Sequence, residues 1–323
     1  MSELRKFLFE GLPVRGMLVR LTESWQDLLK RRAQAESGAY PEPVRNLLGE
    51  MAAAGVLMQS NIKFNGALIL QMQGDGPVRL AVTEVQPDLS FRATATVQAA
   101  VPNGARLESL LNVHGKGRCA ITLDPRDRLP GQQPYQGVVP LHGDQREPLQ
   151  NLSEVLEHYM LQSEQLDTRL VLAADDQVAA GLLIQRLPVG GETNLSGSNW
   201  KSDEEAIGQS EDFNRIAHLA VTLSRDELLG LDADTILRRL FWEEDVRHFE
   251  PLRPRFACRC SRQRVQRMLS GLGQDECDSI LQERGQVDIG CEFCGARYAF
   301  DAVDVRRMFT PGSALPPGSN SVQ

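Results

Sequence analysis

Four cysteines in two close pairs constrain this chain more than any other feature. Cys258-Arg259-Cys260 is followed, thirty residues on, by Cys291-Glu292-Phe293-Cys294. Two such pairs across a spacer of that size match the way four thiolates hold a tetrahedral Zn²⁺. A small segment of this kind draws its folding energy from the metal. The second pair has the CxxC spacing of a zinc knuckle and is flanked by Gly290 and Gly295. The first pair is CxC, tighter than the usual spacing of structural sites. Two sulfurs separated by one residue can also bond to each other, but only in a small strained ring, and strained disulfides are the more easily reduced. The spacing suits a metal clamp in one redox state and a pair of local disulfides in another.

Two plainer readings stand beside this one. The metal can be purely structural and fold a small module. Alternatively the segment can be a zinc ribbon for nucleic acid, since Arg253, Arg255, Arg259, Arg262, Arg264 and Arg267 crowd the first pair. Charge weighs against the ribbon. Residues 251–310 hold ten arginines and eight acidic residues, and four thiolates with one Zn²⁺ bring the sum to about zero. Nucleic-acid modules carry a clear basic excess. The arginines are expected instead to offset the thiolate charge and to favour thiolate in freed cysteines.

The chain has 323 residues, 41% of them apolar, enough for a real core and more than one domain. Met1–Glu10 holds no long apolar stretch or small-residue cleavage site, so no signal peptide is expected, and no run is long enough to span a membrane. Six cysteines, four in metal-type spacing, fit a reducing cytoplasm better than a secreted disulfide scaffold. The net charge of −8 is concentrated: residues 190–250 hold fourteen acidic and six basic residues, and the remainder is balanced at 29 of each.

Residues 1–189 read as an α+β body. Val14–Leu21 is a short strand. The Ala-, Met- and Leu-rich run Leu47–Gln59 predicts a helix buried on most sides. Alternation on either side of Gly74-Asp75-Gly76-Pro77 predicts a hairpin reaching Val85. Residues 117–123 and 136–141 form a second strand-like pair, 151–166 a helix, and 169–184 two more strands around Asp175-Asp176. Residues 190–210 are a Gly-, Ser- and acid-rich connector. Narrow apolar stripes then follow: Phe213, Ile216, Ala217, Ala220 and Leu223, and later Ile236, Leu237, Leu240 and Phe241, with a capping box at Ser224–Glu227 between them. Such helices are marginal alone and need a docking partner, for which the cysteine module is the candidate. In that module, Ser261 and Asp301 are helix caps, Gly285 ends a helix, and the CxxC sits at the tip of a hairpin. The tail 311–323 is expected to be disordered. The expected fold class is thus α+β: an N-terminal two-sheet domain with a buried helix (1–189), an acidic helical linker (190–250), and a small four-cysteine zinc module (251–310).

The remaining polar residues give no catalytic signal. The five histidines are scattered, and Cys119 and Cys277 are read as small apolar residues, open at most to side oxidation. No Ser/His/Asp set, nucleophile elbow, paired-carboxylate motif or Walker loop is present, so an enzyme is not expected.

Several segments together resemble the heat-shock protein 33 family, the redox-regulated bacterial holdase chaperones. They are Pro13-Val14-Arg15-Gly16 with the following LTESW, LQMQGDGPVRL (70–80), GKGRCAITLDP (115–125), YQGVVPL (135–141), EHYMLQSEQLDTRL (157–170), LLGLDADTILRRLFWEEDVRHFEP (228–251), and the CxC and CxxC pairs. The resemblance runs to about residue 310. It implies that Cys258, Cys260, Cys291 and Cys294 bind one Zn²⁺ per chain as thiolates in a reduced, inactive state. Oxidation would pair Cys258 with Cys260 and Cys291 with Cys294, release the metal, and unfold the helices near 211–250. The active form would hold unfolding client proteins under oxidative stress, as a homodimer. A thiol oxidoreductase and a zinc-ribbon nucleic-acid binder are the alternatives. The oxidoreductase needs a CxxC at a helix N-terminus.

Overall fold

The computed structural model describes residues 1–36, 38–127, 131, 133–187 and 210–310. The expected disordered tail, 311–323, and most of the Gly/Ser-rich connector lie outside the described residues. The chain opens with the hairpin β1 (Glu3–Phe9) and β2 (Val14–Leu21), then α1 (Glu23–Gln34) and α2 (Glu42–Asn61). Strands β3 (Gly66–Gln73), β4 (Val78–Val85) and β5 (Ser90–Val97) form a meander. After the short α3 (Leu107–Leu111) come β6 (Arg118–Pro125), β7 (Tyr135–Pro140), α4 (Leu152–Glu164), β8 (Thr168–Ala174) and β9 (Ala179–Arg186). Three helices follow, α5 (Glu211–Val221), α6 (Arg225–Gly230) and α7 (Ala233–Phe241), and then two very short strands, β10 (Val246–His248) and β11 (Arg255–Phe256). The C-terminal module contains α8 (Arg262–Leu272), α9 (Gln274–Arg284), the hairpin β12 (Val287–Gly290) and β13 (Arg297–Phe300), and α10 (Ala302–Phe309).

The architecture is α+β, with two large sheets. The first runs β10-β1-β2-β9-β8 and the second β11-β5-β4-β3-β6-β7. Helix α2 lies between them, buried almost continuously from Pro43 to Gln59. Its two glycines show how closely the layers approach. A Cβ at Gly49 would lie 2.4 Å from Ala174 Cβ of the first sheet, and one at Gly55 would lie 3.0 Å from Val85 Cγ2 of the second. Gly49→Ala should therefore destabilise the body by about 1–3 kcal/mol through overpacking, despite alanine's better helix propensity. Gly55→Ala should cost less. Denaturant unfolding of the two variants measures both, and equal small effects would refute the tight layering.

The first sheet is covered on its other face as well. Phe7, Phe9, Val14, Leu18, Leu182 and Ile184 pack against Phe213, Ile216, Ala220, Ile236, Leu240 and Phe241 of α5 and α7. The Phe9 and Phe241 rings meet edge-on at 5.0 Å. Burial on both faces explains why β9 reads as an almost unbroken buried run instead of alternating. Arg20 of β2 donates hydrogen bonds to the Leu228 and Leu229 carbonyls at the end of α6, the latter at 2.9 Å. Side chains cap all three helices, namely Ser210, Ser224 and Asp232. This corrects one expectation: the apolar stripes of α5–α7 dock on the body's first sheet, not on the cysteine module. They do so because the sheet presents a wide aromatic and aliphatic face, whereas the module's own core is small. That core has only five fully buried members, Leu269, Cys277, Val287, Phe300 and Val305.

Candidate metal centre

The two cysteine pairs reach the site by different routes. Cys258 follows β11, which extends the body's second sheet: Arg255 and Phe256 pair in parallel with Ser90 and Phe91 of β5. The Ala257 N–H then donates to the Phe91 carbonyl at 3.0 Å, one residue before the first sulfur. Cys260 is succeeded by Ser261, whose hydroxyl caps α8 by accepting from the Arg264 N–H. The second pair occupies the tip of the β12–β13 hairpin. There the Cys291 N–H donates to the Ala296 carbonyl and the Gly295 N–H to the Cys291 carbonyl, both at 2.8 Å. The turn requires φ +71° at Gly295, and a Cβ there would also approach Ala35 of α1 to 3.0 Å.

The structure brings all four sulfurs together. They lie within 4.8 Å of one another, with Cys258 Sγ 3.6 Å from Cys291 Sγ and Cys260 Sγ 3.3 Å from Cys294 Sγ. Four convergent soft donors at this spacing could hold a metal ion, and tetrahedral S₄ sets suit zinc or iron. The electrostatics agree with a shared site. The Cys258 thiol is held well below its ordinary pKa, chiefly because Cys291 donates a hydrogen bond to it, and the Cys291 thiol is correspondingly raised. The Tyr298 hydroxyl, on β13, donates to Cys260 Sγ at 3.1 Å.

The other two cysteines lie elsewhere. Cys119 is fully buried in β6, and burial pushes its thiol up to about 12. Cys277 is buried in the module core, with its thiol raised by burial and by Asp278 and Glu276. Neither joins the cluster.

The arginines near the first pair do not all face the sulfurs, as charge offset alone would require. Arg255 pairs with Asp88, Arg259 with Glu84 and Arg262 with Asp304. The cation that lies against the second pair's loop is Arg92 of β5. It lies over the Phe293 ring, between the second pair of cysteines, at 4.1 Å. Its Nε donates to Glu84 Oε2 at 3.0 Å. Burial disfavours its charge, yet hydrogen bonds to Glu84 and toward the Cys258 sulfur raise its pKa above the ordinary value. Thr94, two residues on, donates to the Glu292 carbonyl at 3.0 Å. Sequence reasoning missed Arg92, Glu84 and Thr94. They stand some 165 to 200 residues before the cysteines they support, in a stretch with no motif.

Comparison with known proteins decides the family. The profile described as Hsp33 protein matches residues 2–301. This chain belongs to the Hsp33 family. It is 46% identical to the 33 kDa chaperonin of Chromobacterium violaceum, over 95% of this chain and 94% of that one. It is 40% identical to the 33 kDa chaperonin of Methylobacillus flagellatus, over 98% and 97% of the two chains. The crystal structure of the Hsp33 homologue from Thermotoga maritima shares the fold, with a TM-score of 0.71 at 19% identity over 95% of this chain and 98% of that one. Among the described residues, no helix is long and apolar enough to cross a membrane.

Proposed function

We propose that this Hsp33-family chain is a redox-regulated holdase of the cytoplasm, a binding protein and not an enzyme. In the reduced state Cys258, Cys260, Cys291 and Cys294 hold one Zn²⁺ as thiolates, and the 251–310 module is folded around it. The bound ion supplies charge neutralisation and cross-linking, on the order of 10 kcal/mol of folding free energy for a module of this type. The observation that carries the reading is the convergence of the CxC and CxxC sulfurs on a segment connected, through β10 and β11, to the helices that cover an apolar sheet face.

Oxidation takes two electrons from each pair. Four thiolates become the disulfides Cys258–Cys260 and Cys291–Cys294, and two molecules of peroxide, with four protons, become four waters. A disulfide sulfur has no charge with which to hold a cation, so the module loses its cross-link. The helical segment near 211–250, within a stretch 190–250 of net charge −8, then loses the folded module at its C-terminal end and unfolds. Its departure bares Phe7, Phe9, Leu18 and Leu182 for unfolding clients. The module, with five buried core members, and the linker helices open before the 1–189 body. The active form is a homodimer. The runner-up readings gain no support. The CxxC sits in a hairpin, not at a helix N-terminus, and three of the six nearby arginines are paired with carboxylates instead of forming a free basic face.

The test follows metal release and suppression of client aggregation together. The reduced protein should carry one zinc and hold few clients. Hypochlorous acid, or peroxide at raised temperature, should release the zinc and switch on holding, and thiol reductant with added zinc should reverse both. If the reduced, zinc-bound protein holds clients as well as the oxidised one, the switch does not exist and the metal is only structural.

A further inference from the structure

Strand β5 lies beneath both halves of the cysteine cluster. The CxC half is attached by backbone: Arg255 and Phe256 pair with Ser90 and Phe91, and Ala257 N–H reaches the Phe91 carbonyl. The CxxC half is attached by side chains: Thr94 Oγ1 donates to the Glu292 carbonyl, and the Arg92 guanidinium lies on the Phe293 ring. Thr94 is itself held from below, its oxygen 3.1 Å from the Tyr40 hydroxyl. One body strand thus sets the position of both pairs relative to each other.

Arg92 is suited to more than positioning. Its side chain is 18% exposed, so its charge is poorly screened. Glu84, 9% exposed, fixes the guanidinium plane and also accepts from Arg259. Two guanidiniums against one carboxylate leave about one positive charge beside the loop that carries Cys291 and Cys294. A four-thiolate zinc centre carries about two negative charges, and groups that lie just outside a metal's ligands change its affinity 10–100-fold.

We propose that Arg92 of the chaperone body is the positioning cation of the metal–thiolate centre, so that the body, and not the cysteine module alone, sets how firmly the metal is held. This rests on the reading of the cluster as a zinc site. It ties metal retention to docking, because any movement of the module off β5 removes the cation from the sulfurs, and loss of the thiolate charge removes the partner from the cation.

The test uses the full-length reduced protein and times zinc transfer to a chromogenic chelator. Arg92→Met should release zinc about tenfold faster than the parent. Arg92→Lys should recover most of the difference, since it restores charge without the planar fork. Because the charge is poorly screened, raising the salt from about 50 to about 500 mM should leave most of the difference between the parent and Arg92→Met in place. Thr94→Val, which removes a neutral hydrogen bond, should speed release modestly and by less than Arg92→Met. Circular dichroism confirms that each body is folded, and Arg92→Gln, neutral but polar, carries the test if Arg92→Met is not. Release from the folded neutral variant within twofold of the parent, Arg92→Lys no better than that variant, or a difference between parent and neutral variant that disappears at high salt would each overturn the proposal while leaving the zinc switch intact. A parent protein that retains no zinc would overturn both.

Discussion

Replacing Cys291 and Cys294 together by serine will abolish tight metal retention and leave residues 258–310 without protection in hydrogen exchange, while the 1–187 body stays folded. The size of the effect follows from the module's anatomy. Five fully buried side chains cannot offset the ordering of about fifty residues, so on the proposed reading the fold of the module depends on the metal cross-link. Removing two of four ligands removes most of a term on the order of 10 kcal/mol. The body has its own core around α2 and owes nothing to the metal. Metal analysis and exchange mass spectrometry on the purified variant check this. Stoichiometric zinc in the double variant would mean that these sulfurs are not the ligands.

Ile236→Asp will turn the reduced, metal-loaded protein into one that holds clients without oxidation. Ile236 is fully buried between α7 and the first sheet. A carboxylate there has no partner and costs several kcal/mol if it stays buried, so α7 leaves the sheet instead. Nothing about the cysteines changes, and zinc should remain bound. The readouts are binding of an apolar dye, rapid exchange across 211–241, and suppression of client aggregation under reducing conditions. Rapid exchange without client holding would show that the face beneath α5–α7 is not where clients bind.

The parts of this molecule that could be read from sequence share one property: their signal is local. Leu47–Gln59 is apolar all round and became α2. The stripe at Phe213, Ile216, Ala217 and Ala220 became the buried side of α5. The pattern Ser224–Glu227 became a capping box with both hydrogen bonds made. The proximity of the four sulfurs was implied by their spacing. What escaped has weak or distant determinants. Helix α1 is highly polar and buries only Ser24, Trp25 and Leu28, so its stripe is too thin to detect. Strand β5, SFRATATV, alternates alanine and threonine with no strong contrast. Strands β10 and β11 have three and two residues and exist only because β1 and β5 offer edges to them. The groups around the sulfurs were invisible for the same reason: Arg92 and Glu84 come near Cys258 and Phe293 through sheet topology, not through sequence spacing.

The cover on the first sheet also has a consequence for the order of synthesis. All of β1, β2, β8 and β9 precede residue 187, but α5–α7 are completed only at Phe241. At about 5–20 residues per second, the growing chain spends roughly 3–10 s with four of that sheet's five strands made and its cover unmade. The acidic residues of the cover are late too: the first 189 residues hold 19 basic and 21 acidic side chains, so charge repulsion gives the unfinished body little protection. Each newly made body therefore passes once, without any oxidant, through a form with the same bare face. On the proposed reading, the face that receives clients must be one that its own ribosome-bound siblings do not stick to.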